Sequence, residues 1–277
     1  MMHDLDLPYR QHLSDADRRL LARAVGAEVP VTVALADPRV ERSLFAERGG
    51  DGTLAGTSPF LTFAVAVHRT AARLATASYV EEPWTPRHRI PVFDLGRLRQ
   101  LLDDGAALLF LVELLASYTH VASGSTWERT GRGWRRRRFS ELDPVRLAGL
   151  LEVVDPLERA AVYRRLGDLA LFLSGVFPDH PGIEGLGGAA VGRLLRLSGL
   201  PASSGERVGG RALLELLGPR WYRAAAASLE GHGAPVTASA TVVGMMAERF
   251  VDARRVLNAV TDEYLYPVRD RWFGVGR

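Results

Sequence analysis

The sequence predicts an all-α protein, a multi-helix globular domain with one small inserted β-hairpin at about residues 125–139. Helix-capping residues precede several segments in which apolar residues recur at helical spacing, and only 125–139 combines strand and turn signals. Apolar residues make up 47% of the 277 residues and charged residues 24%, the balance of a chain that buries a core. We expect a single domain over 1–277, with the Gly- and Ser-rich segment 199–210 as the candidate boundary.

Residues that cap helices, several of them followed by proline at the favoured first helical position, predict where the helices begin. The predicted starts are Ser14, Asp37, Ser58, Asp94, Asp143 and Asp155. The helix from Asp94 is expected to reach about His120 as one long core helix, with Gly105 as a kink site. Prolines between 83 and 91 predict an extended connection, because proline disfavours helical backbone at its own and the preceding position. Further helices are expected near 189–197, 211–217, 219–230 and 236–265.

The basic residues are all arginine, since the 35 basic side chains include no lysine. Isoleucine and asparagine are also scarce, and because Lys, Ile and Asn have AT-rich codons, this composition indicates a GC-rich genome, which we expect to be bacterial. The pI of about 9.6 partly reflects the high pKa of arginine. The formal net charge of +3 is modest for this length and does not by itself indicate a nucleic-acid partner.

The chain contains no cysteine, which excludes disulfides, thiolate metal sites and cysteine nucleophiles. Its N-terminus lacks the apolar core of a secretory signal peptide. The longest apolar stretch, 106–116, is well short of the roughly 20 residues that cross a bilayer, and it contains Glu113. We therefore expect a cytoplasmic protein without a membrane segment.

Asp168 is the most conspicuous polar residue, because it lies in an otherwise apolar helical stretch. A buried carboxylate is costly unless it is paired. One interpretation is a structural ion pair, with Arg164 one turn earlier or with Arg254 or Arg255 of the last helix. The alternative is a catalytic or ligand-binding carboxylate. Gly167 beside it would allow close helix approach in either case.

Two motifs carry a resemblance to a known group of proteins. The run Leu166–Pro178 has the form L-G-D-x-x-L-F-x-x-G-x-F-P, and a later helix contains Arg255, Asn258, Asp262 and Tyr264 in the form R-x-L-N-x-x-x-D-x-Y. This pattern resembles a family of uncharacterised bacterial helical proteins over about residues 100–270. The resemblance implies a helical fold and no particular activity, and it leaves Asp168, Arg255, Asn258 and Asp262 as polar candidates for a ligand site or a structural role.

Histidine and acidic side chains on the apolar helices are the only candidates for a metal site. Glu113 and His120 are seven residues apart and share a face of the long helix. His68 lies on another apolar helix, and His180 follows the motif that contains Asp168. None of the ligand spacings typical of helical metal sites is present, so we expect surface or hydrogen-bonded core histidines and no cofactor.

The predicted hairpin combines basic and aromatic residues, and these are the candidate partner-binding residues. They are Arg132, Trp134, Arg135, Arg136, Arg137 and Arg138. Such a hairpin could bind an acidic protein, or track phosphates and stack on bases. It could equally be a solvated edge whose charge discourages pairing with other chains.

Three classes of function remain open. The sequence contains no P-loop and no G-x-S-x-G nucleophile motif. We favour a non-catalytic interaction or regulatory protein that binds another protein. The alternatives are a helical small-molecule or metal-binding protein or enzyme that uses Asp168 and Glu113, and a nucleic-acid binder that uses the Arg-rich hairpin.

Overall fold

The computed structural model describes residues 5–45, 57–85, 88–119, 123–130, 133–140, 142–178, 185–201, 210–229, 235–266 and 268–273. This part of the chain is predominantly helical with two small antiparallel sheets, so the predicted all-α class is confirmed. The α-helices are α1 (Asp6–His12), α2 (Asp15–Val25), α3 (Val31–Leu35), α4 (Pro38–Phe45), α5 (Pro59–Thr76), α6 (Gly96–Leu102), α7 (Gly105–Ser117), α8 (Pro144–Gly149), α9 (Arg159–Val176), α10 (Gly188–Leu197), α11 (Gly210–Ser228), α12 (Ala240–Glu248), α13 (Phe250–Val260) and α14 (Arg269–Phe273). The strands are β1 (Val80–Thr85), β2 (His88–Val92), β3 (Ser123–Thr130) and β4 (Gly133–Ser140).

The chain divides into two compact units. The first comprises Met1–Thr119 and Val251–Trp272, and the second comprises His120–Phe250 and Phe273–Arg277. Segment 199–210, the candidate boundary, lies inside the second unit. A single domain over 1–277 stays a prediction.

The core of the first unit forms around α5. This helix packs against α3, α4, α6 and α7, and its residues from Phe60 to His68 are all buried. Helix α7 is apolar on nearly every side, which is typical of a helix enclosed by others. The longest apolar stretch of the sequence is therefore a core helix. None of the described helices is long and apolar enough to cross a membrane.

The core of the second unit is the contact between α9 and α11. Helix α9 is buried from Leu166 to Val176, and α11 packs against both α9 and α12. Two glycines allow the close approach. A Cβ atom on Gly167 would lie 2.5 Å from the ring of Tyr222, and one on Gly218 would overlap the ring of Phe250.

The predicted hairpin at 125–139 is confirmed, because β3 and β4 form it over 123–140. The prediction of an extended connection at 83–91 was incomplete, because β1 and β2 form a second antiparallel hairpin there. Its prolines, Pro83 and Pro91, stand opposite Arg89 and Glu81. In a sheet of two strands every strand is an edge, so proline is tolerated there.

Several helix boundaries differ from the sequence prediction. The long helix expected from Asp94 to His120 is two helices, because the side chain of Asp104 accepts hydrogen bonds from the amides of Ala106 (2.9 Å) and Ala107 (3.1 Å) and starts α7 anew. The two helices expected at 211–217 and 219–230 are one, α11, which contains Pro219. The helix expected at 236–265 is divided into α12, α13 and a π-helical turn, Thr261–Leu265.

Candidate functional site

The first unit contains a buried ionic cluster between strand β1 and helix α13. Oε2 of Glu82 in β1 accepts hydrogen bonds from two nitrogens of the Arg255 guanidinium, Nη2 at 2.7 Å and Nε at 3.1 Å, and Oε1 accepts one from Arg254. Arg254 is fully buried and also donates from Nη1 to Oδ1 of Asn258 at 2.7 Å. Burial alone would raise the pKa of Glu82, but the two arginines outweigh burial and lower this pKa.

Asp262 and Tyr264 extend this network along the same chain segment. Arg89 of β2 makes a two-point ion pair with Asp262, with Nη2 2.9 Å from Oδ1. The hydroxyl of Tyr264 donates to Glu41 of α4 at 2.5 Å, and Nε of Arg69 donates to the other oxygen of Glu41 at 2.7 Å. Burial would raise the pKa of Glu41, but the bonds from Tyr264 and Arg69 lower it.

The motif R-x-L-N-x-x-x-D-x-Y is thus brought together in one network. Arg255 and Asp262 bind the β1–β2 hairpin, Asn258 binds the buried Arg254, and Tyr264 binds α4. Each charge in this network meets an opposite charge from another element. The arrangement fastens α13 to its neighbours.

Sequence reasoning missed two acids of this network, Glu82 and Glu41. Glu82 immediately precedes the segment 83–91 that the prolines marked as an extended connection, so no periodicity placed it near α13. Glu41 lies on a short amphipathic helix where a solvent-facing acid is the ordinary expectation. Arg254, one of the expected partners of Asp168, has Glu82 as its acidic partner instead.

Asp168 lies in the second unit and is hydrogen-bonded on both carboxylate oxygens. Nε of Arg164 lies 2.9 Å from Oδ1 and 3.2 Å from Oδ2, and the hydroxyl of Tyr222 donates to Oδ1 at 2.8 Å. Arg164 also donates to the backbone carbonyl of Thr237 at 2.9 Å. Of the two interpretations open at the sequence level, these contacts correspond to the ion pair with Arg164.

Helices α1, α5 and α7 bring together two pairs that include His68 and Glu113. The hydroxyl of Tyr9 and Nε2 of His68 are 2.7 Å apart, and both residues are buried. Burial lowers the pKa of His68 to about 4 and raises the pKa of Tyr9. Nε2 of His12 lies 3.3 Å from Oε1 of Glu113.

The remaining metal candidates, His120 and His180, lie outside the described residues. Within the described residues, no group of three or more His, Asp or Glu side chains is arranged to hold a metal ion. The structure instead gives His68 and Glu113 the partners Tyr9 and His12.

The register of the β3–β4 hairpin sorts its basic and aromatic residues into faces. Opposite residues of an antiparallel pair share a face, and successive residues alternate between faces. Trp127 stands opposite Arg136, and Arg129 stands opposite Trp134. Arg138 is two residues from Arg136 and shares its face. One face therefore holds three arginines and two tryptophans, and we call it the Arg–Trp face.

The other face of the hairpin has a different composition. Arg135 stands opposite Glu128, and Arg137 stands opposite Thr126. The acidic residue offsets part of the charge of this face. Arg132, which belongs to the predicted partner-binding set, lies outside the described residues.

Comparison of the chain with models of protein families, with curated proteins and with solved structures gave no significant match. The resemblance noted from the two motifs therefore brings no functional residue to this chain.

Proposed function

We propose that the protein is a non-catalytic interaction protein of the bacterial cytoplasm, and that the β3–β4 hairpin binds an acidic protein partner. The observation that carries this proposal is the Arg–Trp face, which the strand register assembles from Arg129, Arg136, Arg138, Trp127 and Trp134. Arginine and tryptophan are among the residue types most enriched at energetic centres of protein interfaces.

The charge of the hairpin favours an acidic partner. Residues 123–140 contain six arginines, at 129, 132 and 135–138, and one acid, Glu128. A positive patch of this kind attracts a negative surface, accelerates encounter and disfavours basic partners. Planar guanidinium groups also bind carboxylates with two parallel hydrogen bonds, which adds geometric specificity.

The backbone of the hairpin offers a second mode of contact. Strands β3 and β4 form a sheet of two strands, so each strand has an outer edge along which backbone N–H and C=O groups are not paired within this sheet. An extended acidic segment can add to such an edge as a third strand, with alternate side chains over the Arg–Trp face.

An exposed apolar segment in the same unit also supports an interaction role. Leu150, Val153 and Leu157, in the turns between α8 and α9, are 42%, 77% and 92% exposed. Large apolar side chains that remain exposed close together in sequence are typical of surfaces that another protein covers.

Binding of a fluorescein-labelled Glu-rich peptide with interspersed leucines tests the proposal by fluorescence anisotropy. We expect saturable binding, and we expect replacement of Arg129, Arg136 and Arg138 by glutamine to weaken it about tenfold, since exposed charge pairs contribute roughly 0.2–1 kcal/mol each. Replacement of Arg135 and Arg137, on the other face, is the control, and the loss of affinity per arginine replaced should be smaller there.

A labelled DNA duplex whose negative charge is comparable to that of the peptide tests the nucleic-acid alternative against the protein-partner proposal. A two-stranded antiparallel ribbon fits the major groove, so this alternative has a structural basis. Preferential binding of the duplex, with affinity that falls steeply as salt rises, would replace the protein-partner proposal with a nucleic-acid one. Absence of binding to both probes at low salt would overturn both.

A further inference from the structure

Helices α1, α2 and α3 of the first unit, with the residues that connect them, line an open pocket of about 280 Å³. Its walls are apolar and include the buried side chains of Leu13, Leu21, Val31 and Ala34. A cavity of this size and composition accommodates a short aliphatic chain, because such a chain loses water-exposed apolar surface on entry.

The residue at which the chain leaves α2 lines this pocket. Gly26 ends this helix with a φ of +103°, a value that side-chain-bearing residues rarely adopt. Apart from the two chain neighbours of Gly26, no described residue has an atom within 4 Å of the place that a Cβ atom on Gly26 would occupy. The chain therefore turns from α2 towards α3 with no side chain of its own in that open space.

Three arginines, Arg10, Arg18 and Arg19, line the pocket together with the apolar walls. Arg18 is engaged by Asp15 at 3.2 Å and by the backbone carbonyl of Arg10 at 3.0 Å. Arg19 has no acid within ion-pair distance among the described residues. The rim therefore offers a cation that the described part of the chain does not neutralise.

Arg10 is the second cation of the rim, and its ion pair with Asp6 is long. Asp6 lies 3.9 Å from Arg10, but its two oxygens accept hydrogen bonds from the amides of Val31 at 3.0 Å and Thr32 at 3.2 Å. The negative charge of Asp6 is thus directed at the first turn of α3. The pocket combines apolar walls with a net positive rim.

We propose that this pocket binds a small amphipathic anion, an aliphatic monocarboxylate. The aliphatic chain lies against Leu13, Leu21 and Val31, and the carboxylate binds the guanidinium groups of Arg19 and Arg10. The pocket is built from the first unit, so this binding does not depend on the proposed role of the hairpin.

Isothermal titration calorimetry with octanoate tests the site on the full chain. We expect one equivalent to bind saturably, with acetate and 1-octanol each binding about tenfold more weakly or not at all, because each lacks one of the two parts that the pocket recognises. Absence of octanoate binding would overturn the proposal, as would equal binding of 1-octanol.

Two variants locate the bound anion. Arg19→Gln should weaken octanoate binding about fivefold, whereas Arg23→Gln, an exposed arginine one turn further along α2 that does not line the pocket, should leave it unchanged. Ala22→Leu places a larger side chain in the pocket wall from a half-buried position and should abolish binding. Octanoate binding that is unaffected by both Arg19→Gln and Ala22→Leu would place the anion elsewhere and refute the site.

Discussion

Gly167 shows how one residue decides the contact that holds the second unit together. The three atoms nearest to the place that a methyl group would occupy at this position belong to the ring of Tyr222, at 2.5, 2.6 and 2.9 Å. The same ring carries the hydroxyl that donates to Asp168. Because Gly167 has no side chain, the ring of Tyr222 can lie where its hydroxyl donates a hydrogen bond to the buried carboxylate of Asp168.

Gly167→Ala should lower the free energy of unfolding by about 1–3 kcal/mol, because the added methyl group overpacks the contact between α9 and α11. Urea unfolding monitored by circular dichroism measures this change. Gly188→Ala is the control, since a Cβ atom there would lie within 4 Å of no other described residue apart from its neighbours along the chain and its own helix backbone. Equal effects of the two substitutions would show that Gly167 is not required for the close approach.

His68 is expected to make the stability of the first unit depend on pH. Burial lowers its pKa from 6.5 to about 4, so between these values the unfolded chain binds a proton that the folded protein does not. The contribution to stability is present above pH 6.5 and is lost as pH falls towards 4. The loss from this group is about 3 kcal/mol.

Unfolding free energies at pH 7 and pH 4.5 in the double variant Tyr9→Phe, His68→Leu test this expectation. The variant removes both partners of the buried hydrogen bond, so no unpaired polar group is left behind. Its stability should fall less between the two pH values than that of the unmodified protein. The same pH dependence in both proteins would contradict the assignment to His68.

At the scale of secondary-structure elements, the β1–β2 hairpin is fastened to α13 by charge. Glu82 binds Arg254 and Arg255, and Arg89 binds Asp262, so the hairpin contacts both α13 and the π-helical turn that follows it. A two-stranded sheet is marginally stable by itself. These ion pairs therefore account for its persistence beside a helical core.

Glu82→Gln should destabilise the protein by about 2–4 kcal/mol, because it removes the carboxylate that pairs with both Arg255 and the buried guanidinium of Arg254. Glu81→Gln, at the neighbouring exposed position of the same strand, should change stability by less than about 0.5 kcal/mol. Thermal unfolding at pH 7 compares the two. A small effect of Glu82→Gln would show that the hairpin is held by other contacts.

The element boundaries show what periodicity can and cannot predict. The prediction of Ser14 as a cap is confirmed, and this residue forms a capping box with Asp17. The break at Asp104 was missed because its side chain satisfies amides that a continuous helix would bond internally. Pro219 predicts a break between two helices, but the buried face of α11 continues through it from Leu217 to Trp221.

At the scale of the whole molecule, acid should affect the two units differently. His68, Glu41 and Glu82, whose pKa values are lowered in the folded protein, lie in the first unit. A carboxylate with a lowered pKa contributes stability above its unfolded value near 4.5 and loses that contribution as pH falls. Protonation of these groups therefore favours unfolding of the first unit.

Hydrogen exchange measured by mass spectrometry and expressed as protection factors tests this difference. Between pH 7 and pH 4.5, amides of α5 and α7 should lose more protection than amides of α9 and α11, because the first pair of helices belongs to the acid-sensitive unit. A uniform loss of protection in both units would mean that the chain opens as one cooperative body.

The all-α class, the β3–β4 hairpin and most helix starts could be predicted from the chain because they rest on local signals, namely periodicity, capping residues and turn residues. The contacts of the site residues could be predicted only in part from the sequence. Arg164 as a partner of Asp168 could be proposed because helical spacing brings residues four apart together. Helical spacing could not predict all the partners of Arg255, Asn258, Asp262 and Tyr264, because several of these partners lie more than 170 positions away in the sequence.

Only the folded chain decides which distant residues meet. Glu82 lies 172 positions from Arg254, and no local pattern encodes that distance. The pocket between α1, α2 and α3 likewise exists because three short helices pack with a gap, and α1 and α3 were not predicted at all. Local backbone preferences act between neighbours in sequence, whereas ion pairs and cavities arise between neighbours in space.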